Sequence, residues 1–373
     1  MNMFRQTRRV TALVMLVILV MGVLASCAPA QQAPKELTKF VWVSPRGTLE
    51  VMDDYNLWVS KELGYCEELG IDLQLEGGPS ESLASVRMLA EGQADSGFPS
   101  PGVLVTGNDT GIPTIMAWEM MMKQVFDFAI PKGSDIDDIT DLEGKTIAVG
   151  WEGVQVITDP MLYEAGMPLD SVNYVVGGQL WGTLVSEGKA DAALTWRGLA
   201  AQWTAQGLVL DYLVGKTFSD HPANGYAIKR SDLDDPARVD LLERFFKCVA
   251  MGLDFGRNNP RAAAQITYDK FAALKEQMTP QLAFDSMWEL GCNYWDGYYM
   301  GEGYGYSDIQ AWSDYIDDVY DLGQIKARPK TEDIVTNQFI KPANEFDHDR
   351  VAKDAADYKL RPEWEAVVIP DDC

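Results

Sequence analysis

The sequence predicts an α/β protein in which two lobes, joined by a hinge, enclose a ligand cleft. Residues 141–196 alternate apolar strand patterns with helical patterns, which is typical of a parallel sheet. The turn at residues 91–96 (EGQADS) recurs at residues 187–192 (EGKADA), so we expect two lobes of similar plan. A late strand pattern at residues 224–228 indicates that the chain returns to the first lobe.

The clearest unit of strand, helix and strand lies in the second lobe. Residues 146–149 form a short apolar strand, residues 154–165 a helix bent by a proline, and residues 172–176 the next strand. Ligands of open parallel sheets bind beyond the carboxyl ends of the strands. We therefore expect Trp151 and Trp196, which lie at such strand ends, on one rim of a ligand site.

The first lobe follows the same plan. Residues 40–43 and 71–75 are predicted strands, residues 49–63 a helix, and residues 112–122 the fourth strand with the exit from the lobe. The loops after the early strands are rich in Gly, Ser and Pro. They are expected to form the facing wall of the cleft.

The chain then crosses back to the first lobe. Residues 236–258 are predicted as one long helix, because Asp235 suits the cap and Pro236 the first helical position. Two crossings make a hinge, about which a cleft can close on a ligand. The rest is mostly helical, and its aromatic block at residues 294–312 is either an exposed patch or a lining of the cleft mouth.

The amino-terminal residues have the pattern of a secretory signal. Three arginines without an acidic residue precede an apolar run at residues 10–24, which is short for a membrane span. The following Leu-Ala-Ser-Cys resembles the bacterial lipobox, which implies cleavage before Cys27 and lipid anchoring through its sulfur. A single-pass anchor with an incidental cysteine is the alternative.

Composition excludes several classes of function. The formal net charge of −25, without basic clusters, argues against nucleic-acid binding. Only two histidines and no C-x-x-C pair are present, so neither a metal site nor a cofactor is expected. The four cysteines after Cys27 allow three disulfide pairings, between which the sequence does not choose: Cys66, Cys248, Cys292 and Cys373.

The predicted organisation has five parts. They are a signal peptide at 1–26, a tether at 27–39, the first part of lobe one at 40–122, lobe two at 123–217, and the return to lobe one with the carboxyl-terminal helices at 218–373.

Several segments together resemble the periplasmic-type substrate-binding proteins of ABC importers. They are the lipobox, LWVSKELGY, LAEGQAD, DLEGKTIAVG, ADAALTW and IVTNQFI, and the resemblance spans most of residues 40–340. It is strongest to the branch that captures thiamine pyrimidine precursors, riboflavin, alkanesulfonates, taurine or nitrate. The resemblance implies a class II binding-protein fold, lobes that close on a small molecule, and a monomer that docks on permease and ATPase subunits. One departure is that these relatives often have proline soon after the rim tryptophan, whereas Arg197-Gly198 follows Trp196 here.

Candidate ligand-binding residues are those on predicted strand-end loops. They are Trp42, Ser44, Arg46, Asp54, Phe98, Ser100, Trp118, Glu119, Trp151, Glu152, Gln179, Trp181, Trp196, Arg197, Asn224 and Tyr226. The tryptophans favour a flat heterocycle, because stacking on aromatic faces stabilises planar rings. The carboxylates Asp53, Asp54, Glu119 and Glu152 favour a ligand that carries hydrogen-bond donors.

Three alternatives remain open at this stage, one of which is a sensor domain that presents its ligand to a membrane kinase. A sulfonate or nitrate ligand would use arginines and serines, and Ser44, Arg46, Ser80, Ser100 and Arg197 are available for this role. The third alternative is an enzyme, since pyrimidine synthases of thiamine biosynthesis share this fold. Their cysteine-rich motif and reactive histidine have no counterpart here, so a binding protein without catalytic activity is expected.

Overall fold

The computed structural model describes residues 36–79, 83–168 and 170–371. The predicted signal peptide, the lipidation site Cys27 and most of the tether lie outside the described residues, as does Ser80. None of the helices within the described ranges is long and apolar enough to cross a membrane.

Ten strands of the described chain form two five-stranded sheets. They are β1 (Thr38–Ser44), β2 (Ile71–Gly77), β3 (Ser96–Gly97), β4 (Thr114–Glu119), β5 (Phe126–Pro131), β6 (Thr146–Val149), β7 (Asn173–Val176), β8 (Ala192–Trp196), β9 (Leu210–Leu213) and β10 (Gly225–Lys229).

The first sheet has the order β2-β1-β3-β10-β4, and we call this sheet with its helices lobe one. Strand β1 pairs in parallel with β2 and β3, whereas β10 runs antiparallel to both β3 and β4. The apolar runs of β1 and β4 are buried on both faces, which is why they lack the alternation of a half-exposed strand. The late strand β10 therefore sits inside the first sheet, as the sequence predicts.

The second sheet has the order β7-β6-β8-β5-β9 and forms, with its helices, lobe two. Strand β6 pairs in parallel with β7 and β8, while β5 runs antiparallel to β8 and β9. The chain passes between the sheets twice, at residues 120–125 and 214–224. The predicted boundaries at residues 122 and 217 fall within these two segments.

The helices of the described chain surround both sheets. They are α1 (Tyr55–Glu62), α2 (Tyr65–Glu68), α3 (Ala84–Ala90), α4 (Pro101–Asp109), α5 (Gln155–Glu164), α6 (Trp181–Ser186), α7 (Arg197–Ala205), α8 (Pro236–Asn258), α9 (Pro260–Lys270), α10 (Ala272–Gln277), α11 (Pro280–Tyr294), α12 (Asp296–Tyr299), α13 (Ile309–Asp321), α14 (Ile340–Asn344), α15 (His348–Asp357) and α16 (Pro362–Glu365).

Two of these helices show how local chemistry sets the boundaries. Helix α8 begins where predicted, because the Asp235 side chain accepts a hydrogen bond from the Ala237 amide and Pro236 occupies the first position. Helix α1 starts at Tyr55, later than the predicted residue 49. Residues 50–54 instead form a loop that carries two buried aspartates.

The aromatic block at residues 294–312 is mostly core. Trp295, Tyr304 and Trp312 are buried, whereas the Tyr299 side chain is 61% exposed. Tyr294 lines a cavity between the lobes, whereas Tyr299 lines a different pocket. The block is therefore neither a continuous surface patch nor a lining of the cleft mouth as a whole.

A disulfide joins Cys66 in α2 to Cys248 in α8, with their Cα atoms 5.1 Å apart. It is one of the pairs that the sequence allows. The Ser60 hydroxyl also donates a hydrogen bond to the Cys248 carbonyl at 2.7 Å, so α1, α2 and α8 are tied together beneath lobe one.

Candidate functional site

A cavity of about 260 Å³ lies between the two lobes. Its walls come from the segments that follow β1 and β3 in lobe one and β6, β7 and β8 in lobe two. Within each sheet these strands run parallel, so their carboxyl ends lie at one edge, and the loops from both edges line the cavity. Most lining side chains are apolar or aromatic, as is usual for small-molecule sites.

One wall is built around Arg46, which follows β1. The Arg46 guanidinium pairs with the Asp54 carboxylate through Nη2 and lies 3.7 Å from Asp53 Oδ2 through Nη1. Its carbon lies 5.6 Å from the centre of the Phe98 ring. Two nearly buried carboxylates thus share one cation, and Arg46 carries no unbalanced positive charge toward the cavity.

The aspartate pair has an altered ionisation. Burial raises the pKa of Asp53 to about 6, and the Arg46 charge opposes this shift only in part. The Asp53 side chain is 2% exposed. It crosses the cleft, because its Oδ2 accepts a hydrogen bond from Trp196 Nε1 at 3.1 Å.

The opposite wall is aromatic. The Trp181 and Trp196 rings lie 6.3 Å apart at an interplanar angle of 30°, and Trp203 packs edge-on against Trp181 at 5.4 Å. Trp181 Nε1 donates to the Leu194 carbonyl at 2.7 Å, which fixes its ring. Trp151 adds a further aromatic side chain to this wall.

The third wall is the start of α4. Ser100 precedes Pro101 as the cap residue of this helix, yet its side chain makes no capping hydrogen bond. A β-carbon at Gly102 would lie 2.0 Å from the Val156 carbonyl oxygen of lobe two. The lobes therefore approach each other here at backbone distance, which only glycine allows.

Several buried polar atoms that line the cavity have no hydrogen-bond partner in the described part of the protein. They are Arg46 Nε, Asp53 Oδ1, Ser85 Oγ, Ser100 Oγ, Gln202 Nε2 and Asn224 Oδ1. Buried polar groups are normally paired, since leaving one unpaired costs about 1–3 kcal/mol. Such a concentration of unpaired donors and acceptors is what a ligand site requires.

The structure brings half of the predicted ligand residues to the cavity. These are Arg46, Phe98, Ser100, Trp151, Gln179, Trp181, Trp196 and Asn224.

The other half lie elsewhere, four of them behind the cavity wall. Trp42 and Tyr226 are buried and pack with Phe98, at 6.3 Å and 5.3 Å from its ring. Asp54 holds Arg46, and the Ser44 hydroxyl accepts a hydrogen bond from the Arg46 amide at 3.3 Å.

The last four predicted residues also do not line the cavity. Trp118 stacks on Phe246 at 5.4 Å inside lobe one, and Glu152 points to solvent. Arg197 lies 3.4 Å from the buried Asp127, so its charge is balanced within lobe two. Glu119 is buried at the end of β4 in lobe one.

Several cavity residues escape the sequence argument. Ser85, Gln202, Leu290 and Tyr294 lie on helices, where their spacing is that of ordinary core and surface positions. No motif or periodicity in the sequence marks them as ligand residues. The sequence names Asp53 as a carboxylate that favours a ligand with hydrogen-bond donors, and the structure places it in the cavity wall.

Glu119 gives a pH-dependent prediction. Its carboxyl is 3% exposed and accepts a hydrogen bond from Trp312 Nε1 at 3.1 Å; burial raises its pKa to about 8. The folded protein therefore holds a proton that the unfolded chain releases above about pH 4.5, so this group destabilises the fold increasingly as pH rises toward 8. Relative to Glu119→Gln, the wild type should lose about 2 kcal/mol of unfolding free energy between about pH 6 and about pH 7.5. Urea titrations at the two pH values measure this difference. An equal change in the unfolding free energy of wild type and Glu119→Gln would contradict it.

Within the described ranges, no group of three or more His, Cys, Asp or Glu side chains is placed to hold a metal ion. Neither histidine lines the cavity: His221 lies between Glu164 and Asp318, at 3.2 and 2.8 Å, and His348 pairs with Asp254. The three described cysteines also lie away from it.

Comparison with known protein families assigns the chain to one of them. The family model described as NMT1/THI5 like matches residues 52–263, more than half of the sequence. The chain belongs to this family. The match confirms the resemblance seen in the sequence, and its boundaries include most of both walls of the cavity. No curated protein is significantly similar to the sequence.

Solved structures show the same fold at low identity. The periplasmic nitrate-binding protein NrtA from Synechocystis has a TM-score of 0.61 and 12% identity, and covers 90% of this chain and 99% of its own. The alkanesulfonate-binding protein SsuA from Xanthomonas axonopodis pv. citri, bound to MOPS, has a TM-score of 0.58 and 12% identity, and covers 82% of this chain and 99% of its own. The ligand binding component of an ABC-type import system from Staphylococcus aureus, with zinc bound, has a TM-score of 0.59 and 11% identity, and covers 83% of this chain and 99% of its own. The predicted periplasmic-binding-protein fold is thus confirmed.

Proposed function

We propose that this protein is the extracytoplasmic solute-binding component of an ABC importer. Its ligand is a small aromatic heterocycle such as a thiamine pyrimidine precursor or riboflavin. The observation that carries the proposal is the cavity between the lobes, in which aromatic walls surround a group of unpaired hydrogen-bonding atoms. Its two-lobed fold is shared with solved binding proteins of import systems.

The aromatic walls favour a planar ligand. A ring that enters the cavity meets Phe98 from lobe one and Trp151, Trp181 and Trp196 from lobe two. Each aromatic pair stabilises a complex by about 0.5–1.5 kcal/mol beyond the effect of buried area. Asn224 Oδ1 has no partner within the described chain and is an acceptor, which suits an amino or ring N–H group at the edge of such a ring.

Cavity size favours a compact member of this class. An apolar cavity of about 150 Å³ accommodates benzene. The cavity here, of about 260 Å³, therefore suits one substituted ring or a small fused pair rather than a three-ring flavin with its side chain. This favours a pyrimidine over riboflavin.

The alternative ligand is an alkanesulfonate, taurine or nitrate, as in two of the relatives of this fold. Arg46 and Ser100 line the cavity and would hold such an anion. However, the Arg46 charge is already balanced by two aspartates, and Arg197 by Asp127. An added anion would therefore meet excess negative charge, which disfavours it.

We further infer binding without catalysis. The pyrimidine-synthase alternative requires a reactive histidine or cysteine, and the described ones lie outside the cavity. The disulfide between Cys66 and Cys248 fits an oxidising compartment outside the cytoplasm. Lipid anchoring through Cys27, a monomeric state and docking of the closed form on permease and ATPase subunits complete the proposal.

A thermal-shift screen tests the ligand class. Purified protein comprising residues 28–373 is incubated with thiamine pyrimidine precursors, riboflavin, taurine, MOPS and nitrate. A ligand at about 100 times its dissociation constant raises the free energy of unfolding by about 2.7 kcal/mol. We expect the largest shift with a pyrimidine. Stabilisation by sulfonates or nitrate alone would overturn the heterocycle proposal.

A pair of variants locates the ligand found in this screen. Trp151→Ala should weaken binding by about tenfold, because one aromatic wall is lost. Trp58→Ala is the control, since Trp58 packs on Phe271, 5.2 Å away, and does not line the cavity. Equal losses in the two variants would place the ligand elsewhere.

A further inference from the structure

We propose that Asp53 is a specificity-determining latch, which binds the amino end of α7 across the cleft and so closes the lobes and keeps anionic ligands out. The contact between Asp53 and lobe two does not depend on which ligand the protein binds. Its effect on ligand choice rests on the proposed function, since it assumes that the ligand occupies this cavity.

The latch connects different lobes. Asp53 lies in the loop before α1 of lobe one, whereas Trp196 ends β8 and caps α7 of lobe two. Trp196 Nε1 donates to Asp53 Oδ2 at 3.1 Å. A β-carbon at Gly198, in the first turn of α7, would lie 2.7 Å from Asp53 Oδ1. The carboxylate therefore sits against the backbone of that first turn.

The amino end of α7 is prepared for a negative charge. This helix has nine residues, no side-chain capping hydrogen bond and no acidic residue in its first turn. The aligned peptide dipoles give this end a partial positive charge, and its first amide, that of Arg197, donates to the Val125 carbonyl at 3.3 Å. Asp53 Oδ1, whose side chain is 2% exposed, has no hydrogen-bond partner in the described chain and lies beside this end. The carboxylate therefore interacts with the helix end through its charge and with Trp196 through a hydrogen bond.

Occupation of the helix end explains which ligands are excluded. An oxyanion that approached α7 would meet Asp53 and Asp54, with Arg46 as their shared cation. Like charges at short distance in a buried site repel by several kcal/mol. The cavity consequently admits neutral or cationic molecules, and its remaining acceptors suit their N–H groups.

The latch also has a pH dependence. The titratable and charged groups around Asp53 are Arg46 and Asp54 of the same wall, Tyr294 of α11, whose hydroxyl donates to the Asp53 carbonyl at 3.1 Å, and Arg197 of α7, which faces Asp127. Burial raises the pKa of Asp53 to about 6. Because burial disfavours the charged form, the closed state takes up a proton as pH falls through about 6, so closure is favoured below this pH and the exclusion of anions is complete only above it.

The test compares wild type with Asp53→Asn, which keeps the shape and removes the charge. X-ray scattering without ligand should show the same radius of gyration for the variant and the wild type at about pH 7.5, because the amide oxygen of the variant still accepts the hydrogen bond from Trp196, and no expansion of the wild type at about pH 5. MOPS and nitrate should bind the variant about tenfold more tightly than the wild type. Asp285→Asn is the control, because Asp285 is a partly buried carboxylate that pairs with Gln281 outside the cavity.

Trp196→Phe provides a second variant, which removes the hydrogen-bond donor and retains an aromatic ring. It should expand the protein, with circular dichroism like that of the wild type. An unchanged scattering profile of Trp196→Phe would overturn the latch, and an unchanged anion affinity of Asp53→Asn would overturn its role in ligand choice. If the wild type binds no heterocycle while Trp196→Phe still expands, the proposed function fails and the latch stands.

Discussion

Replacement of Arg46 by methionine is expected to lower the free energy of unfolding by about 3–5 kcal/mol. Arg46 is the cation between Asp53 and Asp54, whose side chains are each 2% exposed. Its removal leaves two buried carboxylates without a counter-ion, and uncompensated buried charge is among the most destabilising changes known in proteins. Urea unfolding followed by tryptophan fluorescence measures the loss.

The loss should depend on pH. At about pH 5 a protonated Asp53 needs no counter-ion, so the variant should recover part of its stability relative to about pH 8. Arg244→Met is the matched control, because Arg244 pairs with the exposed Asp240 on the surface of α8. The control should lose no more than about 1 kcal/mol. A loss of that size in Arg46→Met would show that the aspartates find other partners.

Replacement of Gly102 by alanine is expected to abolish tight ligand binding while leaving each lobe folded. The new β-carbon would lie 2.0 Å from the Val156 carbonyl oxygen, which belongs to the backbone of the opposite lobe. Relief of this overlap requires the lobes to separate. If the closed state falls below about 1% of the population, the apparent affinity decreases by about 100-fold or more. Titration of the ligand identified by thermal shift measures this decrease.

Gly107→Ala on the same helix is the control for this prediction. A β-carbon at Gly107 would lie 3.2 Å from a methyl group of Val86, which is a side chain within lobe one and can shift. Its effect on ligand affinity should be small. Equal affinities of Gly102→Ala and wild type would mean that closure at α4 is not part of binding.

The two variants report on different properties of one site. Arg46→Met acts on the charge balance inside lobe one, and Gly102→Ala acts on the distance between the lobes. If Arg46→Met binds the ligand and Gly102→Ala does not, binding depends on closure of the lobes more than on the charged cluster. The opposite result would show that binding depends mainly on Arg46 and its two aspartates.

The sequence by itself determined the fold class and the strand ends that carry the site. Short apolar runs, glycine turns and the capped start of α8 are local signals, because they depend on backbone conformation within a few residues. The recurring turn at residues 91–96 and 187–192 announced two similar lobes for the same reason. Trp151, Trp181 and Trp196 were therefore placed at the cavity from their positions alone.

Only the tertiary structure decided which side chains face the ligand and which support the wall. Trp42, Trp118 and Tyr226 also lie on strands of lobe one, yet they point into its core, because a strand alternates its faces and the packing of α8 buries one of them. Tyr294 and Leu290 reach the cavity from α11, about 240 residues after Asp53, and no local pattern reports such a contact.

The role of Asp53 shows the same limit most clearly. Its sequence neighbourhood marks an acidic pair before a helix, which is typical of an exposed turn. Folding instead buries it beside Arg46 and sets it against the start of a helix from the other lobe. Charge balance and helix-end electrostatics act through space, so they depend on the arrangement of distant segments that only the folded chain creates.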